Sequence, residues 1–111
     1  MNAKISDDIR SERPLYELVQ RANNFLKRLT FGSGISMTAE WRLERDTQGR
    51  LLVVLELADA TGATAEARFT ADELAREGHV NPGLYKVWGD LLQSRSHKQL
   101  ELLSGRIDGG E

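Results

Sequence analysis

Few residues in this chain have the type and spacing that chemistry needs. The histidines are His79 and His97. His79 lies in EGHVN, close in sequence to Asp72, Glu77 and Asn81. An imidazole beside carboxylates is a starting point for acid–base work, but the ordinary role of a single loop histidine is an exposed surface residue. No serine has a G-x-S-x-G context, and no His-x-x-x-His pair exists for zinc. There is no cysteine, so a disulfide framework, a thiolate zinc site and a cysteine nucleophile are excluded. The glycines of TFGSG follow a helical pattern and do not join a strand to a helix, so they form no phosphate cradle. DGGE is short and terminal. We therefore expect no catalytic, cofactor or metal site and a non-enzymatic protein.

The more informative stretch is GLYKVWGDLLQSRSHKQLELL, residues 83–103. At about 100° per residue, Leu84, Trp88, Leu91, Leu92, Leu102 and Leu103 share one helical face. Arg95 and Gln99 fall on that same face, inside the polar run Ser94–Gln99. A buried arginine without a partner costs several kcal/mol, so Arg95 does not simply sit in a core. Three explanations stand. The helix breaks near Ser94–Ser96; or it runs past the sheet and leaves Arg95 and Gln99 partly wet; or these residues meet an acidic or phosphate partner, which arginine's fork suits.

The elements that would position these residues follow from periodicity. Leu15, Leu18, Val19, Ala22, Leu26 and Leu29 recur at three and four, predicting a helix from Pro14 to Thr30 with Ser11 as its cap. Ile35, Met37, Ala39, Trp41 and Leu43 alternate with polar residues, predicting a strand with one wet face. DTQG leads to a central strand, LLVVLEL at 51–57, and DATG leads to a third at 63–69. Thr70 and Glu73 form a capping box for a short helix ending near Gly78. Asn81 and Pro82 read as cap and first residue of a helix reaching about Ser104. The polar starts and ends predict flexible tails over 1–12 and 106–111, around a single domain at 13–105. The expected fold is α+β: two layers, an N-terminal helix, a three-stranded antiparallel meander, a short helix and a long C-terminal helix. This order is similar in topology to double-stranded-RNA-binding domains. Those place a lysine cluster at the start of the last helix, where this chain reads NPGLYKVW, so the similarity extends to topology and not to that motif.

Length and composition agree with one globular domain. The chain has 111 residues, 40% hydrophobic and 29% charged, with net charge −2. It has no apolar run of membrane-spanning length and no signal-peptide pattern at its start, and the lack of cysteine suits the cytoplasm. The exposed sheet face, with Thr38, Glu40, Arg42, Glu44, Glu56, Thr64, Glu66 and Arg68, lacks the aromatic side chains on which RNA bases stack. Arg42 on that face is expected to tolerate alanine, and Gly89 in the long helix either permits close approach of another element or has no packing role. Two functional expectations follow. The first is a protein–protein interaction or self-association module using Arg95, Lys98, Gln99, Leu102 and Leu103. The alternative is weakly sequence-specific nucleic-acid binding through Lys27, Arg28, Arg95, His97 and Lys98, if the two long helices end side by side. No membrane partner is expected.

Overall fold

In the computed structural model, which describes residues 1–109, the chain forms a mixed α+β fold. Its elements are β1 (Asn2–Ile5), α1 (Asp7–Arg10), α2 (Arg13–Thr30), β2 (Met37–Arg45), β3 (Leu51–Asp59), β4 (Thr64–Phe69), α3 (Ala71–Ala75) and α4 (Glu77–Gly109). The strands form one sheet in the order β1-β2-β3-β4. The expected antiparallel meander is present as β2, β3 and β4. Trp41 faces Leu55, which faces Ala67 in turn.

The N-terminus departs from expectation. Residues 2–5 are a fourth strand, parallel to β2, with Ile5 opposite Trp41. The amide of Ser6 continues this pairing by donating to the Trp41 carbonyl at 2.9 Å. A parallel pair needs a crossover connection, and α1 and α2 supply it. Ile9, on α1, is fully buried in the core. Residues 1–12 are therefore part of the domain, not a tail. Four alternating residues at a half-exposed edge carry too short a period to be read without their neighbour. Ser11 caps no longer helix: α2 is preceded by Glu12, without a side-chain cap, while the Ser11 hydroxyl donates back to the Asp8 carbonyl.

Packing follows one face of each element. Val19, Ala22 and Leu26 of α2 meet Met37, Ala39, Trp41, Val53, Leu55, Leu57 and Phe69 of the sheet, with Val80, Leu84, Val87 and Leu91 of α4. Each large side chain so buried contributes about 1.5–3 kcal/mol. The buried indole N–H of Trp41 donates to Asn23 Oδ1 at 3.0 Å, and the buried Thr30 hydroxyl donates to the Leu26 carbonyl at 3.0 Å, so these buried polar groups are paired. α2 ends where Phe31 leaves helical geometry and Gly32 takes φ +78°, a left-handed conformation that glycine adopts without strain.

α3 carries the expected capping box. The Glu73 amide donates to Thr70 Oγ1 at 3.1 Å, and the Thr70 amide donates to Glu73 Oε1 at 2.9 Å. α4, in contrast, begins at Glu77 and has Pro82 inside it, so Asn81 is not its cap. Pro82 lies near the start of α4, where one missing amide donor falls within a helix that runs on regardless. α4 is also unbroken through Ser94–Ser96. It is described to Gly109, so residues 106–109 continue the helix instead of forming a tail, and Gly110 and Glu111 lie outside the described residues.

Candidate interaction surface on the C-terminal helix

α4 spans 33 residues, or roughly 50 Å. Its buried stripe is Val80, Leu84, Val87 and Leu91, and it stops there. Near its start the helix packs closely on the sheet at Gly83, where an added Cβ would lie 2.6 Å from Phe69 Cε1. Gly89 has nothing within 4 Å of such a Cβ, so the close approach that is one of the two expectations there occurs at Gly83 instead. Phe69 pairs with Val53, towards the β2–β3 hairpin, whereas Arg95 meets Asp59 at the far end of β3. α4 therefore runs from the hairpin end of the sheet to the opposite end and continues past it. The resulting molecule measures 57 × 34 × 25 Å.

Arg95 marks the point of departure. Its Nε lies 3.4 Å from Asp59 Oδ2. The Asp59 side chain is only 1% exposed and that of Arg95 is 30% exposed. The other oxygen of Asp59 organises the β3–β4 turn: Oδ1 accepts from the Thr61 amide at 3.0 Å, the Thr61 hydroxyl at 2.7 Å and the Ala63 amide at 3.0 Å. Burial pushes the Asp59 carboxyl up, but these hydrogen bonds and the Arg95 charge outweigh it and hold the group below its ordinary value. Nε and Oδ2 face each other as an ion pair without hydrogen-bond geometry. The arginine inside the apolar stripe thus has a carboxylate partner on the sheet. Nothing in the period of α4 names Asp59. The only local signal is its place at the head of DATG, where an aspartate commonly closes a turn.

Beyond Arg95 the helix is exposed. Leu100, Leu102 and Leu103 are 62%, 67% and 52% exposed, and Lys98 and Gln99 are exposed beside them. Leu102 continues the line of the buried stripe, together with Arg95 and Lys98, while Leu103 falls to the side with Leu92 and Gln99. The expected interaction residues Arg95, Lys98, Gln99, Leu102 and Leu103 therefore occupy one projecting segment, but Arg95 is tied to the fold.

The expected basic set is brought only partly together. Arg21 Nη2 donates to the Leu74 carbonyl at 3.4 Å, and Phe25 meets Tyr85 edge-on with centroids 5.7 Å apart. Leu15 and Leu18, near the start of α2, line one groove with Leu51 at the hairpin end of the sheet, and α2 ends shortly before Met37, which pairs with Asp59 at the opposite end; α2 and α4 therefore run in the same direction and end towards the same side. Lys27 and Arg28 occupy the last turn of α2, where cations complement the helix dipole. His97 Nε2 lies 3.3 Å from Glu101 Oε1. Two of the five candidate phosphate contacts, Arg95 and His97, thus already face carboxylates.

The outer face of the sheet is an ion-pair network and not a row of independent charges. Arg42 reaches Glu44, Glu56 and Glu66 at 3.3, 3.1 and 3.3 Å, and Arg68 reaches Glu66 at 2.8 Å. Burial works against the charged form of Arg42, yet Glu56 and Glu44 raise its pKa above the ordinary value. Arg42 and Arg68 flank Val54 in register, and Val54 is fully buried on this largely charged face. Their aliphatic stems are placed to cover it. Arg42 accordingly has more to lose on truncation than an exposed strand residue.

Among the described residues, no three His, Asp or Glu side chains gather as a metal ion would require, and no helix is long and apolar enough to cross a membrane. No protein-family model matches the chain, and comparisons with curated proteins and with solved structures give no match.

Proposed function

We propose that this chain is a non-enzymatic interaction module whose partner-binding surface is the end of α4 that projects beyond the sheet. The observation that carries this reading is the exposure of Leu100, Leu102 and Leu103 on a helix that has outrun its own core. Each leucine buried at an interface returns about 1.5–3 kcal/mol that solvent exposure forgoes. Contiguous apolar surface on a charged, water-facing helix is the usual mark of an association site. Arg95 acts from the fold side by fixing where the helix leaves the sheet, and Lys98 and Gln99 supply polar contacts beside the leucines.

The test is Leu102→Asp combined with Leu103→Asp. The double variant is expected to keep the wild-type urea midpoint and to lose association in light scattering and chemical cross-linking. A double variant that unfolds, or that associates as wild type does, overturns the proposal.

A second reading, phosphate-backbone binding to nucleic acid, draws support from the common direction of α2 and α4, which brings Lys27, Arg28 and Lys98 towards one side of the molecule. The net charge of −2 and the carboxylates facing Arg95 and His97 weigh against it. A fluorescence titration with duplex RNA and DNA at low salt decides it: no binding there ends this reading, and salt-sensitive binding lost on Lys27→Glu with Arg28→Glu supports it.

A further inference from the structure

An open groove lies at the end of the molecule opposite the projecting helix. It has a volume of about 670 Å³, with Leu15, Leu18, Leu43 and Leu51 among its apolar lining and Asp8 and Glu12 among its polar lining. Leu51 is 42% exposed, and Leu15, Leu18 and Leu43 are only partly buried. Neither Asp8 nor Glu12 has a cation within ion-pair distance among the described residues. Of the other charged residues in the lining, Glu44 faces Arg42 and Arg68, while Arg45 donates to the neutral Gly49 carbonyl at 2.9 Å and keeps its positive charge. The groove thus presents an apolar floor whose two unpaired carboxylates, Asp8 and Glu12, outnumber its one unpaired cation among the described residues, Arg45.

The face of α4 that continues the buried stripe carries the complement: Leu102 with Arg95 and Lys98 beside it, and Lys98 has no carboxylate within ion-pair distance among the described residues. This helix cannot reach the groove of its own chain. Leu51 and Asp59 are roughly 26 Å apart along β3, and α4 points away from the Leu51 end as it passes Asp59. A second copy has no such restriction.

We propose that the groove receives the projecting end of α4 from a second copy of this chain, so that copies associate head to tail. This rests on the reading of α4 as an interaction surface and adds the identity of the partner. In the contact, Leu102 and Leu103 of one copy enter among Leu15, Leu18, Leu43 and Leu51 of the next, and Lys98 approaches Asp8 and Glu12. Because the two surfaces differ, the contact is heterologous. Every open assembly retains one free helix end and one free groove, and growth continues until a ring closes or an open chain forms.

The experiment is sedimentation velocity on the full chain over a wide concentration range, with two variants. Leu51→Lys disables the groove; Leu102→Asp with Leu103→Asp disables the helix end. Wild type is expected to form species larger than a dimer as concentration rises. Each variant alone is expected to be monomeric, and their equimolar mixture to form a 1:1 dimer that grows no further, because one intact groove then meets one intact helix. Charge reversal gives an independent measure that leaves the leucines alone. Lys98→Glu is expected to weaken association about tenfold, and adding Asp8→Lys with Glu12→Lys to restore it. A wild type that stays monomeric, an association that stops at a dimer, or a variant mixture that stays monomeric overturns head-to-tail assembly. If the wild type stays monomeric but the helix-end variant loses a different protein, the interaction reading survives without self-assembly. If that variant unfolds, the interaction reading falls as well, and the charge-reversal pair still decides whether copies associate.

Discussion

Arg95 shows how one side chain can resemble a binding residue and belong to the fold. It interrupts an apolar stripe, and its partner lies 36 positions earlier in the chain, on the sheet. Removing it leaves the buried Asp59 carboxylate without a cation. Arg95→Ala is therefore expected to destabilise the domain by about 1–3 kcal/mol, the range for stranding a buried polar group that keeps some hydrogen bonds. The same pair predicts a dependence on pH. Asp59 titrates lower in the folded chain than in the unfolded one, so its contribution is complete above the unfolded value of about 3.9. It is lost as pH falls through the lower, folded value. Thermal melts from about pH 6 to about pH 2 should show a falling midpoint at the acid end, and a smaller fall in Arg95→Ala. Equal slopes in the two proteins would mean that Arg95 does not act on Asp59. The sequence exposes the conflict at Arg95 but not its resolution, because charge pairing between a helix and a turn has no period.

At the scale of elements, local pattern and tertiary packing divide the outcome. The strands β2, β3 and β4, helix α2 and the capping box of α3 were legible, because each repeats apolar residues over a long enough run or carries paired cap residues. β1 and α1 were not: four residues each contain too few periods to stand above noise, and it is pairing with β2 that stabilises β1 and burial of Ile9 that stabilises α1. Ile9 tests this difference. Ile9→Ala is expected to cost about 2–5 kcal/mol in urea denaturation, as for a buried aliphatic residue, whereas a side chain in a tail would cost nothing measurable. Two glycines on α4 give a second contrast. Gly83→Ala drives a methyl group into Phe69 and should destabilise by about 1–3 kcal/mol despite alanine's helix propensity. Gly89→Ala meets open space and should stabilise by up to about 1 kcal/mol. The reverse order in thermal melts would mean that α4 is rotated or shifted on the sheet.

For the whole molecule the decisive feature is a helix longer than the layer it covers. A compact domain of this length would have a radius of gyration near about 13 Å, whereas this one has 16.1 Å. Small-angle scattering on the monomeric Leu102→Asp, Leu103→Asp variant should retain the larger value. A compact value would mean that α4 folds back, and both the interaction surface and the head-to-tail contact would lose their geometry. The same overhang explains why the leucines past Arg95 are exposed even though their spacing resembles that of a core: period reports which side of a helix is apolar, not whether anything lies opposite.

The sequence by itself determined the α+β class, the antiparallel meander, the inward face of α2 and the inward phase of β2, because these depend on side-chain alternation within one segment. It also narrowed the interesting residues to Ser94–Leu103. Only the tertiary structure decided that the N-terminus adds a parallel strand, that α4 is continuous from Glu77, that Arg95 meets Asp59, and that α2 and α4 run the same way. Each of these depends on two segments distant in sequence meeting at a particular register and direction. The free energy that selects the arrangement comes from burying both surfaces together, so neither segment carries its record alone.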